Sequence, residues 1–282
     1  MAIESSDILK KKGSFQNRTW DSISNELTIQ EVLDTIKSDK LKLIVEKLRS
    51  LLEKGNKEAY TAHKRNLPSV TFCGTFQENR KKENLKTYNS IIVLDIDNLT
   101  NEEFLKVKKY FINDEYVFSF WESPSQQGVK GLVALEFDFE INKINIDKVH
   151  KIAFYKLSSY FKDKYDILLD NSGNDTTRLC FYSYDPNLIL KNKIISFKLE
   201  ENDLEDNKER KTYRETPKIH ILSDRDALFN PTNRNKSNDR YIISSIIRYL
   251  KKNNLSITFT YEDWYKVAMA IANTFTYEIG EK

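Results

Sequence analysis

Apolar positions along this 282-residue chain switch between helical and strand periods, and the switches mark its elements. Thr28 with Glu31 forms a capping box that opens a helix through Val32 and Ile36. A second helical run carries Ile44, Leu48, Leu51 and Leu52 and ends at Gly55, and a third, shorter one runs from Lys57 to Leu67-Pro68. Residues 70–76 are β-branched and aromatic, which predicts a strand or extended segment. The unbroken run Ile91-Ile92-Val93-Leu94 reads as a buried central strand. Beyond it the pattern predicts a helix over 102–111, with Phe104, Leu105, Val107 and Phe111 on its apolar side. Strands over 116–121 and 130–137 follow, and then a long amphipathic helix over 147–164. Ile167-Leu168-Leu169 predicts a short strand ending at Asp170, and residues 178–184 one more. Mixed elements with hairpin-like neighbours indicate an α+β fold whose sheet is largely antiparallel.

Between Glu200 and Lys218 the character changes, with 12 of 19 residues charged and almost nothing apolar after Leu204. Such a stretch cannot bury enough surface to fold by itself and reads as a linker or surface arm. The apolar pattern resumes with Ile242, Ile243, Ile246, Ile247 and Leu250. Tyr261-Glu262-Asp263-Trp264 then opens another helix carrying Val267, Ala268, Ile271, Ala272 and Phe275. The expected organisation is therefore a domain over 1–199 with a helical part over about 28–66, a charged linker over 200–236, and a helical module over 237–282. A module of about 45 residues is marginal alone, so the full protein is expected to continue further.

Charge and cysteine content narrow the classes only a little. Two cysteines, Cys73 and Cys180, cannot build a disulfide framework, and no zinc-type spacing occurs. Neither a signal-peptide core nor a membrane-length apolar stretch is present, so a cytoplasmic protein without membrane partners is expected. With 45 basic and 42 acidic residues the net charge is only +3, and a basic surface would have to arise by local segregation. The 15 tyrosines and 16 phenylalanines permit base stacking but equally serve a core.

Candidate chemistry concentrates where the central strand ends, at Asp95-Ile96-Asp97. Residues two apart on a strand share a face, so both carboxylates project from one side. Two acids held that close need neutralising, and a divalent cation is the usual partner. A solvated acidic strand end with Asn98 is the plainer alternative. The turn Ser123-Pro124-Ser125-Gln126-Gln127-Gly128-Val129-Lys130 can offer hydroxyl, backbone N–H and ammonium groups to a triphosphate, or be an ordinary hairpin. Asp170, followed by Asp175 and Arg178, is a third acid, or else a cap for Asn171-Ser172-Gly173. The loop over 77–86, with Arg80, Lys81, Lys82 and Lys86, is a solvated loop or a phosphate-contacting patch. His63, His150 and His220 sit in settings that suggest no role.

Taken in order, these motifs resemble the catalytic core of the archaeo-eukaryotic primase superfamily, the primase-polymerases. That family has an acid-x-acid pair on a strand, a Ser-rich turn ending in a basic residue, and a third acid before an Arg-bearing strand. The matching positions are Asp95 and Asp97, then Ser125 through Lys130, then Asp170 with Arg178. The likeness is strongest to the VirE N-terminal or BT4734-like branch, carried by residues 70–76, 93–97, 123–130 and 177–186. Residues 240–280, with Tyr261-Glu262-Asp263-Trp264 and Ala268-Met269-Ala270, resemble the small helical domain that follows such primases. One departure is Lys130, where most of the superfamily has histidine; lysine supplies a point charge but no proton exchange near neutrality.

The resemblance implies an RRM-like sheet and a DNA primase or polymerase of a mobile-element or phage replication system. Asp95, Asp97 and Asp170 would be catalytic and hold Mg²⁺ or Mn²⁺; Ser125, Gly128, Lys130 and Arg178 would bind the nucleotide; and Arg80, Lys81 and Lys82 are candidate nucleic-acid contacts. Implied partners are a single-stranded DNA template, nucleoside triphosphates and a replicative helicase, fused or separate. Two rival functions are a catalytically silent single-strand-binding module, since an RNA-recognition sheet stacks bases on aromatics, and a metal-dependent nuclease.

Overall fold

The computed structural model describes residues 2–204, 237–258 and 260–275. Its chain falls into two compact units, Met1–Arg210 and Lys211–Lys282.

In the first unit the strand predicted to be central is buried but lies at an edge of its sheet, whose centre is β9 (Val129–Phe137). That strand, β7 (Ile91–Ile96), pairs antiparallel with β9. The other edge of β9 pairs antiparallel with β8 (Val117–Glu122), which in turn pairs with β11 (Ile189–Leu190). A short parallel strand, β13 (Phe197–Leu199), lies along the end of β9 at 135–137.

Alternation sends successive β7 side chains to opposite faces. Ile92, Leu94 and Ile96 join a core with Val129, Val133 and Leu135 of β9, and two helices close over it. These are α5 (Asn101–Asn113), through Val107 and Phe111, and α6 (Ile146–Tyr165), through Val149, Ile152, Ala153, Phe154, Leu157 and Phe161. Ile91 and Val93 face the other way, into a second core with Phe118, Trp121, Leu132 and Ala134. A sheet covered on both faces explains why β7 reads as a continuous apolar run.

The second core is shared with a four-stranded antiparallel sheet in the order β10 (Cys180–Phe181), β4 (Ser69–Thr71), β2 (Lys12–Gln16), β3 (Asn25–Thr28). Three helices complete it: α2 (Ile29–Lys37), α3 (Lys42–Glu53) and α4 (Lys57–Lys64). The Thr28–Glu31 capping box forms, and α2 buries Ile29, Val32, Leu33 and Ile36. A hairpin of β5 (Gly74–Phe76) and β6 (Leu85–Tyr88) and a pair of β1 (Ala2–Glu4) with β12 (Lys193–Ile195) finish the unit, with a short helix α1 (Ser5–Leu9) between β1 and β2.

Several expectations change in detail. Residues 70–76 form two strands, because the chain turns at Phe72-Cys73 and β4 and β5 join different sheets. Residues 167–169 form no strand; only Ile167 and Leu169 are buried while Leu168 is exposed, and the segment contributes its apolar side chains without ladder pairing. The strand expected over 178–184 is two residues long. Strands β1 to β3 have no counterpart in the sequence pattern, since each spans at most five residues.

The second unit has two helices among its described residues, α7 (Ser237–Asn253) and α8 (Tyr261–Thr274), the latter opened by a Thr260–Asp263 capping box. The charged linker expected over 200–236 lies, from 205 on, outside the described residues. Among the described residues no helix is long and apolar enough to cross a membrane.

Candidate active site

Asp95 is the penultimate residue of β7, on the face shared with Ile91 and Val93, and Ile96 packs in the opposite core. Directly across the ladder stand Lys130 of β9 and, beyond it, Trp121 of β8. Cross-strand partners share a face, so register alone brings Lys130 onto Asp95. Its Nζ lies 2.5 Å from Asp95 Oδ2, both groups being buried. Burial by itself would lower the Lys130 ammonium, but the charges of Asp95 and Cys180 and the bond to Asp95 outweigh it and hold it above the usual lysine range. The second oxygen, Asp95 Oδ1, is buried and accepts no hydrogen bond.

Asp97 follows the strand on an exposed stretch. Crowding by surrounding protein, and then the neighbouring Asp95 charge, hold its carboxyl above the usual range. Here the turn over 123–130 closes against the strand end. Leu99 N–H donates to Gln127 O (2.9 Å) and Ser123 N–H to Gly128 O (2.8 Å). Within the turn the Ser123 and Ser125 hydroxyls are 2.9 Å apart, and Gln127 N–H donates to Ser125 Oγ. A Cβ on Gly128 would stand 2.4 Å from Ile96 O and 2.8 Å from Asp97 Oδ1, so only glycine lets this turn approach the acids.

The third acid arrives by main-chain pairing. Asp170 N–H donates to Asp95 O (2.9 Å), which extends the strand end by one bond and sets Asp170 beside the pair. Its Oδ1 also accepts from Ser172 N–H (2.7 Å), capping a 3₁₀ turn over Asn171–Asn174, so the capping and the site placement hold together. Burial would raise the Asp170 carboxyl, but the Ser172 bonds and the charges of Arg178 and Lys130 bring it below the usual range. Arg178 is exposed nearby. Among the described residues no three His, Cys, Asp or Glu side chains converge closely enough to hold a metal ion by themselves.

The basic loop is partly committed to the fold. Arg80 donates through Nε to Gln16 Oε1 (3.1 Å) and through its guanidinium to Thr177 O. Lys82 pairs with Asp147 of α6 at 2.6 Å, whereas Lys81 is exposed.

Four residues of this neighbourhood were not legible in the sequence. Arg49 of α3 donates to Tyr184 O (2.9 Å) and reaches Ser123 O at 3.5 Å. Tyr60 and Lys64 of α4 stand within electrostatic range of Asp97 and Lys130. They lie more than twenty-five positions upstream of β7, on α3 and α4.

His150 is the fourth, buried on α6 behind the Asp170 turn. Its Nε2 is 3.2 Å from Gly173 O, which can only accept, so Nε2 carries the proton and Nδ1 accepts from the Tyr88 hydroxyl at 2.9 Å. Burial pushes this imidazole down to about 4, despite the Gly173 bond and the charges of Asp147 and Asp175. A depressed folded value means that the unfolded chain binds the proton more readily. The stabilisation is complete above about pH 6.5 and is lost as pH falls toward 4, amounting to about 3 kcal/mol. Urea unfolding at pH 7 and pH 5 should show a loss in the wild type that is smaller in His150→Gln, and equal losses would remove His150 from the acid response.

One α+β unit thus presents two acids, a third acid on an adjoining segment, a lysine and a Ser-Gly turn from one sheet end. Residues 62–189 match the family of BT4734-like N-terminal domains, which is related to the primase-polymerases through the VirE N-terminal group. The match contains Asp95, Asp97, Ser125, Gly128, Lys130, Asp170 and Arg178, and it stops short of residues 240–280. No curated protein and no solved structure matches the chain.

Proposed function

We propose that the chain is a DNA primase or polymerase, transferring nucleotides on a single-stranded template with Mg²⁺ or Mn²⁺ held by Asp95, Asp97 and Asp170 together with phosphate oxygens of the nucleotide, since the three carboxylates do not converge closely enough alone. One observation carries this reading. Asp95 Oδ1 is a buried carboxylate oxygen without a hydrogen-bond partner, with the charge of a second acid, Asp97, close by. A buried acceptor left unmade costs about 1–3 kcal/mol, and more when charged, which an oxygen-seeking divalent cation relieves. Such ions, when bound, make a 3′-hydroxyl a stronger nucleophile and neutralise charge on the transferring phosphate.

The chain's own residues would do the rest. The main-chain bond from Asp170 to Asp95 fixes the spacing of the third acid to the pair. Ser125 and Lys130 would hold the triphosphate, with Gly128 letting their turn close against Ile96 and Asp97. Arg178 adds a cation on the Asp170 side. Residues 240–280 would serve as the accessory helical domain, and a replicative helicase of a mobile element or phage would be the partner.

A silent single-strand-binding module draws support from one feature: Lys130 already neutralises Asp95 at 2.5 Å. A primer-synthesis assay on single-stranded DNA with labelled nucleotides and Mg²⁺ or Mn²⁺ separates the readings. Template-dependent products are expected. Strand binding without products would support the silent module, and cleavage of the template without synthesis the nuclease.

A further inference from the structure

We propose that Lys64 and Tyr60 of α4 extend the phosphate-holding groups of the 123–130 turn, taking the phosphates of a nucleoside triphosphate beside it. This rests on the nucleotide-transfer reading and adds residues outside the three motifs that define it.

Lys64 is half-buried, its ammonium 5.7 Å from the centre of the Tyr60 ring and 5.4 Å from that of Phe181. Among the described residues no ion pair includes Lys64. The charges it senses are Lys130 and Arg178, which repel it, and Asp97 and Asp95, which attract it. With Arg49 reaching Ser123 O, four cations from α3, α4, β9 and the 170–180 segment border one strand end. Like charges gathered around a partly desolvated point repel one another unless an anion joins them. Asp95 is already matched by Lys130, so the remaining positive groups exceed the local acids once divalent cations occupy those acids. A polyanion carried in with such ions restores balance.

Tyr60 supplies the second, independent sign. It is 8% exposed, and its hydroxyl is buried beside the Ser125 side chain of the 123–130 turn without a well-formed hydrogen bond. A buried phenol normally finds a partner. Here that hydroxyl, an ammonium outside any ion pair and the Ser125 side chain lie at one strand end.

The test is calorimetric titration of the whole chain, without template, with dATP plus Mg²⁺ and separately with inorganic tripolyphosphate. Lys64→Met keeps the apolar stem against Tyr60 and Phe181 while removing the charge. It should weaken both ligands about tenfold or more, as expected for one lost charge-assisted contact. Lys64→Arg should stay within about threefold of wild type, and Tyr60→Phe should lose a smaller factor than Lys64→Met. Affinity for a single-stranded oligonucleotide should not move. Unchanged triphosphate affinity in Lys64→Met overturns the proposal, as does a loss confined to the oligonucleotide, which would assign Lys64 to a template phosphate. A wild-type chain that binds neither probe overturns the nucleotide reading as well. That failure is distinguishable because it appears before any substitution is made.

Discussion

Asp97→Ala should abolish primer synthesis and leave the thermal midpoint near that of the wild type. Asp97 is exposed, follows β7 and carries no hydrogen bond that holds an element in place, so its removal subtracts charge without opening the core. Loss of an acid that positions a cation forfeits several kcal/mol of transition-state stabilisation, which at 1.36 kcal/mol per decade is on the order of 10³-fold or more.

Asp95→Ala should be equally inactive but also less stable, because it strands the buried Lys130 ammonium. Removing one member of a buried pair typically costs about 3–5 kcal/mol, whereas replacing both by apolar groups is often neutral. The double variant Asp95→Ala/Lys130→Met should therefore recover much of the stability and none of the activity. Comparing primer extension with denaturant midpoints for the three variants checks this. Synthesis by Asp97→Ala at wild-type rate would remove the acids from the chemistry.

The largest purely structural effect is expected from Asp114→Ala. This residue caps α5, is 1% exposed, and has all its oxygens engaged. Oδ1 accepts from the N–H groups of Tyr116 (2.9 Å) and Val117 (3.1 Å), and Oδ2 from the hydroxyls of Tyr160 (2.7 Å) and Tyr165 (2.9 Å). One carboxylate thus joins the end of α5, the start of β8 and the last turns of α6. Alanine would leave two amides and two phenols without their acceptor at a cost of about 3–5 kcal/mol. For a unit of this size that is roughly a 10 °C fall in thermal midpoint. A drop of only a degree or two would show that water replaces the carboxylate without loss.

The amino-acid sequence determined the local elements and the identity of the acids. The β7 run, the helical spacing of α6 and the capping boxes at Thr28 and Thr260 are local patterns, and local patterns survive as elements when packing agrees with them. Alternation along β7 also sufficed to turn Asp95 away from the core that takes Ile96, while Asp97 lies just past the end of the strand. Sequence could not show that residues 167–169 would lie beside β7 without joining a ladder, because ladder pairing depends on which edges remain open.

Nor could it show the Asp95–Lys130 pair, the main-chain bond from Asp170, or the return of Arg49, Tyr60 and Lys64 to the same strand end. Each joins positions thirty or more residues apart, and such contacts are set by register and by helix packing, which carry no local periodicity. His150 illustrates the same limit. Its setting in the sequence suggests no role, and only the approach of Gly173 O and Tyr88 gives both ring nitrogens a partner. Composition and pattern chose the parts of this site, and tertiary packing decided which of them meet.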